Sequence, residues 1–291
     1  MTGTNATVTR TLDVPGATLA YDVREGRGEG PPLLLIGSPM GAGGFATLAG
    51  HFTDRTVVTY DPRGVERSPK HDPATPSTPD EHAADVHRVI EAIGGGPVDL
   101  FASSGGAVNA LALVAAYPTD VRTLVAHEPP LAALLPDREG ALAVSRAIAD
   151  AYQRDGFGAG MARFIAVVSH QGPFTVADAA APGPEPAMFG LPPDDDGSRT
   201  DPLLFQNLIS CTHYEPDIDA LRASPTRIMI AVGVESEGQL AYRGGLAVAD
   251  RLGAEPVPFP SDHGGFLGGE YGQAGDPDAF AATLREVLAG A

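Results

Sequence analysis

The sequence predicts an α/β fold, a mostly parallel central sheet flanked by helices, interrupted by a helical cap. Three observations predict it. Short apolar or β-branched runs recur without alternation, as in strands covered on both faces. Helical patterns of 12 to 14 residues separate most of those runs, the spacing of right-handed crossovers in a parallel sheet. Between residues 131 and 223 the alternation stops and only helical patterns remain.

Taken in order, Val8–Val14 and Thr18–Val23 alternate and flank Pro15-Gly16, which predicts an antiparallel hairpin. Leu33–Ile36, Thr56–Tyr60, Val98–Ala102, Arg122–Ala126 and Arg227–Val232 are the compact runs, and Pro256–Phe259 is a last strand whose prolines place it near an edge. Helical patterns cover Glu81–Ile93, Gly105–Tyr117, Gln239–Leu252 and Pro277–Leu288, the last opened by Asp276 as cap and Pro277 as first helical residue. In the interrupting stretch, Ala141–Arg154, Ala159–Ser169 and Pro202–Thr212 are helical, while Ala179–Thr200 is rich in Pro, Asp and Gly. The expected organisation is a core of residues 1–130 and 224–291 with a cap at 131–223, whose segment 179–200 is mobile over the entrance to the site.

Composition narrows the function. The 291 residues carry 19 basic and 37 acidic side chains, for a net charge of −18 and a pI near 4.6. Lys70 is the single lysine. Such a balance leaves no basic face for nucleic acid and disfavours anionic membranes. The lone Cys211 excludes an internal disulfide framework and a cysteine-based metal site. No apolar run approaches the roughly 20 residues of a membrane helix, and the start MTGTNATVTRTLDVPG has no secretory pattern. A cytoplasmic protein is expected, with a small-molecule substrate and homo-oligomerisation left open.

The strongest chemical signal is Val98-Asp99-Leu100-Phe101-Ala102-Ser103-Ser104-Gly105-Gly106-Ala107. A buried strand enters small residues, a serine and a helix, the sharp turn that lifts a hydroxyl to the carboxyl edge of a sheet. The helix start below Ser104 favours negative charge there. A second signal is His263, which follows the last strand and precedes the last helix beside Gly264-Gly265. The other histidines have blander places: His51, His71, His82 and His87 in loops or on polar helix faces, His170 and His213 in the cap. Leu33–Ile36 exits through Gly37-Ser38-Pro39, where a backbone N–H faces a reacting carbonyl oxygen. Asp61 and Arg63, in Asp61-Pro62-Arg63-Gly64, are expected to brace loops.

With these residues the chain resembles the α/β-hydrolase superfamily, specifically its serine hydrolases with a helical cap, over nearly its whole length. The resemblance implies the α/β-hydrolase fold, Ser104 as nucleophile, His263 as general base, and the N–H groups of Ser38 and Gly105 as oxyanion hole. Three positions depart from the family's usual pattern: Ile36-Gly37 replaces His-Gly, Ala102 begins the serine turn, and Gly233-Val234-Glu235-Ser236 stands where Gly-x-x-Asp is frequent. The triad acid is therefore sought elsewhere. Glu128 ends the strand after the serine helix and is followed by Pro129-Pro130; it is the preferred candidate, with Glu235 or Glu237 as the alternative. His127 is expected to pack against its strand.

The implied activity is acyl transfer to water from an ester, thioester or lactone of a small apolar substrate. A serine at this position argues against the alkyl transfer of aspartate-nucleophile relatives such as haloalkane dehalogenases. Cofactor-free haloperoxidase or perhydrolase chemistry and C–C bond hydrolysis use the same triad and stay open, as does a non-catalytic small-molecule binding protein on this scaffold. Met40, Phe45, Phe164, Phe205 and Tyr214 are the candidate pocket residues. Neither a phosphate-binding glycine loop nor a His/carboxylate metal spacing is found, so no cofactor and no metal is expected.

Overall fold

A strand that is apolar at every position must be covered on both faces, and the chain meets this by layering helices on either side of one sheet. The computed structural model describes residues 6–28, 30–192 and 194–290. Residues 1–5, part of the start examined for a leader, lie outside them, as does residue 193 in the loose segment.

Strands β1 (Thr7–Val14) and β2 (Ala17–Arg24) form the expected antiparallel hairpin. Its turn needs Gly16 at φ 81°, a conformation that a Cβ would strain. β3 (Leu33–Ile36), β4 (Val57–Tyr60), β5 (Val98–Ser103), β6 (Val121–His127), β7 (Arg227–Gly233) and β8 (Val257–Phe259) follow. The sheet order is β1-β2-β4-β3-β5-β6-β7-β8. β2 joins β4 antiparallel, and every neighbour from β4 to β8 is parallel. β8 is the short edge strand its prolines foretold. Because the chain runs from β3 outward to β4 and back to β5, the order reverses between β3 and β5, where an open α/β sheet forms its crevice.

Neighbouring residues on one strand face opposite layers. Leu34 and Ile36 of β3 and Leu100 and Ala102 of β5 pack with helices α2 (Pro79–Ala92), α3 (Gly105–Ala116) and α9 (Leu240–Leu252). Leu33, Leu35 and Phe101 face the other way, toward Phe45 and Leu48 at the short helix α1 (Ala46–Gly50) and Phe280 and Leu284 of α10 (Pro277–Ala289). Each such side chain, fully buried, contributes about 1.5–3 kcal/mol of hydrophobic stabilisation. Local signals fix the helix starts. Thr78 and Glu81 close a reciprocal capping box on α2, and Asp276 accepts from the Ala279 N–H with Pro277 in the first turn of α10.

Between β6 and β7 lie α4 (Arg138–Asp155), α5 (Phe157–Ser169), α6 (Val176–Ala180), α7 (Leu208–Thr212) and α8 (Ile218–Ala223), with no strand among the described residues. This insertion builds a small core of its own around Ile148, Tyr152, Leu204 and Leu208, and shares another, around Ala141, Val144 and Phe174, with Leu240 of α9. Its last helix, α8, seats the buried Leu221 in the core on the side of the sheet that α2, α3 and α9 cover. Among the described residues no helix is long and apolar enough to cross a membrane.

Among its described residues, segment 181–200 holds one single-turn helix, Pro186–Phe189, whose Met188 is 74% exposed. Little burial there opposes backbone entropy. Its amides are expected to exchange hydrogen at least about 100-fold faster than those of β5. Equal protection of the two segments in a mass-spectrometric exchange experiment would refute this.

Candidate active site

The carboxyl ends of β3, β5 and β6 meet at the crevice. β5 runs into Ser104, which adopts φ 58° and ψ −128°, a backbone that few non-glycine residues take. The Ser104 N–H donates to the His127 carbonyl at 2.9 Å, and the Ser104 carbonyl accepts from Ala107 at 2.9 Å. The turn is thus tied to β6 on one side and to α3 on the other. Small residues are needed beyond it. A Cβ on Gly105 would stand 2.6 Å from the Ser38 carbonyl oxygen, and one on Gly106 would stand 2.8 Å from both the Ile36 oxygen and the Gly37 Cα. The start of α3 therefore rests directly on the exit of β3. Gly105 and Gly106, as its first residues, have N–H groups without intrahelical acceptors. Ser38 and Gly105, expected to act together, are brought side by side.

β6 ends one residue before Glu128, which is fully buried and also left-handed at φ 48°. Its N–H donates to Ala231, and its Oε1 accepts from the Gly233 N–H at 2.9 Å. Its Oε2 lies 2.5 Å from His263 Nδ1, so the imidazole donates from Nδ1. Burial pushes the Glu128 carboxyl up, but the hydrogen bond and charge of His263, with the Gly233 N–H, outweigh it and hold the group below its ordinary value. It is ionised at neutral pH. Glu235 and Glu237, the alternatives, are exposed, and buried Ser236 lies between them.

His127 precedes Glu128 and points into the opposite layer. Phe101, Phe259, Phe266 and Phe280 surround it at centroid distances of 5.3 to 6.4 Å, and the His263 ring stacks 5.9 Å away. Burial pushes it down to about 4. Packing, not proton transfer, is its visible role, as expected. Asp61 and Arg63 are braces: Asp61 takes the Ala42 N–H and Arg67, and Arg63 forks onto Asp85 and reaches Glu81.

Phe45, a pocket candidate, is fully buried and stacks on Phe266 at 5.4 Å in the core between the sheet and α10. One expectation needs correction. His82 is not on a polar face. It lies on the buried side of α2 in the same stripe as Ala83, Val86, Val89 and Ile90, and its Nε2 is 2.8 Å from Asn207 Oδ1. Of the other pocket candidates, Met40 lies over Gly37 and Gly44 at the exit of β3. Phe164 and Phe205 pack on the insertion's own core, and the Tyr214 hydroxyl donates to Asp80 of α2. The lone Cys211 is also brought here: its sulfur would stand 3.3 Å from a Cβ on Gly105, and burial pushes its thiol up to about 12. Among the described residues no group of three or more His, Cys, Asp or Glu is placed to hold a metal ion.

Comparison with known proteins bears on this arrangement. A family model described as alpha/beta hydrolase fold matches residues 31–180. The chain is 31% identical over 264 residues to the uncharacterized hydrolase YraK of Bacillus subtilis (strain 168), covering 88% of this chain and 89% of that one. An esterase from Exiguobacterium antarcticum superposes with a TM-score of 0.66 at 18% identity, covering 95% of this chain and 97% of its own. A thermophilic esterase from Thermogutta terrifontis, with malate bound, gives 0.64 at 19% identity and covers 98% of each chain. At these identities the two structures show a shared fold.

The caged His127 sets a pH dependence. Above its ordinary value of 6.5 both folded and unfolded states leave it neutral. As pH falls toward 4, the unfolded chain takes up a proton that the folded one refuses, and stability is lost. His127→Phe keeps a ring in the cage and removes that proton. Between pH 7 and pH 4 it is expected to lose about 3 kcal/mol less unfolding free energy than the wild type. Equal losses in urea titrations would show that His127 takes its proton in the folded state.

Proposed function

The chain belongs to the alpha/beta hydrolase fold family and is a hydrolase, and from that premise we propose that it is a carboxylesterase-like serine hydrolase. Its substrate in this reading is a small apolar ester, thioester or lactone, and its triad is Ser104, His263 and Glu128. The observation that supports the reading most is the 2.5 Å pairing of His263 Nδ1 with a buried, ionised Glu128, one strand from the left-handed Ser104 turn. A histidine fixed in this tautomer by a carboxylate is what a serine nucleophile requires of its base.

The steps follow. Ser104 Oγ attacks the acyl carbon while His263 Nε2 takes its proton. The carbonyl oxygen becomes an oxyanion held by the N–H groups of Ser38 and Gly105, beside the start of α3. As the tetrahedral species collapses, the bond to the alcohol or thiol breaks and His263 returns the proton to it. Water then attacks the acyl-enzyme, His263 takes one of its protons, and the acid leaves with Ser104 restored. Glu128 keeps Nδ1–H oriented and stabilises the imidazolium in both halves. The insertion, residues 131–223 as first delimited, serves in this reading as the cap. Met40 at the β3 exit and Phe164, Phe205 and Tyr214 on its side are the residues from which an apolar acyl pocket would be drawn.

A fluorophosphonate is expected to label Ser104 and nothing else in the folded protein. Absence of labelling would end the serine-hydrolase reading. A panel of p-nitrophenyl esters of rising chain length, run beside lactone and peracid assays, separates hydrolysis from perhydrolysis and sizes the acyl pocket. Glu128→Gln is expected to lower kcat by about 10²–10⁴-fold with folding intact, while Glu235→Gln changes it less than about tenfold. The reverse ranking would move the acid to the β7 loop.

A further inference from the structure

The insertion reaches the β3 exit through the side chain of Asn207. Residues 202–207 form a widened helical turn: the Gln206 N–H donates to the Asp201 carbonyl at 3.2 Å, five residues back, while the Asp201 carboxylate caps Leu203 and Leu204. Such turns are uncommon and frequently occur at functional sites. Here the turn ends at Asn207, which is buried. Asn207 Nδ2 donates to the Pro202 carbonyl at 2.7 Å, which fixes the amide so that Oδ1 faces the other way. Oδ1 accepts from His82 Nε2 at 2.8 Å and from the Ser38 hydroxyl at 3.3 Å.

Every partner in this chain of contacts is anchored elsewhere. His82 is fully buried on α2, and burial pushes it down to about 4, so the ring is neutral and donates through Nε2. The Ser77 N–H just before α2 donates to the Gln206 carbonyl at 3.0 Å, binding the widened turn to the same element. On its far side, Ser38 is pressed by its own carbonyl oxygen against Gly105. The Ser38 residue thus has α3 on one side and Asn207 on the other.

We propose that Asn207, held by His82, is a positioning residue for the oxyanion hole: by taking the Ser38 hydroxyl it sets the direction of the Ser38 N–H. This rests on the serine-hydrolase reading above. The insertion then does more than cover the site, because one of its residues helps build it. An N–H that is misdirected by a few tenths of an ångström still allows substrate binding but stabilises the developing oxyanion less, so the effect falls on kcat.

The test uses the full-length protein with a p-nitrophenyl ester. Rates are expressed per Ser104 titrated by a fluorophosphonate, so that loss of folded protein does not count as slow turnover. Asn207→Ala is expected to lower kcat per titrated site by about 10- to 100-fold, with KM within about threefold. The Ki of a trifluoromethyl ketone, whose adduct carries the oxyanion, should rise in parallel. His82→Leu should slow turnover about tenfold, whereas His82→Gln, which keeps a donor, should stay within about threefold of wild type. Ser38→Ala keeps the backbone N–H and loses the hydroxyl. It should match Asn207→Ala, and the double variant should be no slower than either single one.

Unchanged kcat per site in Asn207→Ala, a loss of titre alone, additive effects of the two substitutions, or equal damage by His82→Gln and His82→Leu would each overturn the proposal. If Asn207→Ala does not fold, the Ser38 and His82 variants decide by the same criteria. Ser104→Ala separates the two levels. If it is inactive while Asn207→Ala is not slowed, this inference alone fails; if it turns over like the wild type, the serine-hydrolase reading fails and takes the inference with it.

Discussion

The register of the central parallel strands determines what meets at the upper edge of the sheet. Ile36, Ala102, Ala126 and Ile230 stand across one rung of β3, β5, β6 and β7, and Ser103, His127 and Ala231 across the next. Ser104 and Glu128 are therefore each the first residue beyond neighbouring strands, at the same height. β7 continues two residues further, far enough for Gly233 to offer its N–H to Glu128. β8 returns the chain so that His263 closes over the same carboxylate. A slip of β6 by one residue would move Glu128 by about 3.3 Å and turn alternate side chains to the wrong layer. Apolar cores on both faces resist such a slip, because Leu124 and Ala126 face one and Val125 the other.

That rigidity is also what tolerates local strain. Ser104 and Glu128 are both non-glycine residues in the left-handed region, each costing about 1–3 kcal/mol relative to a relaxed backbone. Both are held by backbone bonds to the next strand, Ser104 to His127 and Glu128 to Ala231. The close approach of α3 to β3 depends on the same stiffness. Gly105 and Gly106 let two backbones touch where any side chain would separate them. The N–H groups at the helix start consequently face the β3 exit rather than a layer of side chains.

Much of this was readable in the sequence, for identifiable reasons. The strands announced themselves because burial on both faces removes alternation, and their bounds moved by only a residue or so. The places of Ser104 and His263 just after strands were readable because their neighbours are small or glycine. Glu128 stood out by ending an apolar run before two prolines. His82 was misplaced because polarity was weighed above position, although it is spaced with Val86, Val89 and Ile90 on the apolar stripe of α2. The depth of Phe45 was not readable, because Phe266 and Phe101 form a cage for it from distant parts of the chain. The widened turn at 202–207 has no local sequence signature. It is set by what Asn207 and Gln206 find in α2 and at the β3 exit, partners more than a hundred residues away.

The place of the carboxylate follows from the energetics of burial. A carboxylate taken out of water is tolerated only where hydrogen bonds replace its solvation. At the end of β6 one oxygen receives a backbone N–H from β7 and the other an imidazole N–H, both fixed by the sheet. These contacts outweigh the burial that would neutralise Glu128, and the group stays ionised against His263 in a chain that is already strongly acidic. The loop after β7 offers no equivalent. Glu235 and Glu237 point into solvent, where water screens a carboxylate and nothing fixes its direction, and buried Ser236 between them carries no charge. With both Glu128 oxygens bonded, the His263 Nδ1–H already has its carboxylate, and a neutral serine at position 236 leaves that pairing as it stands.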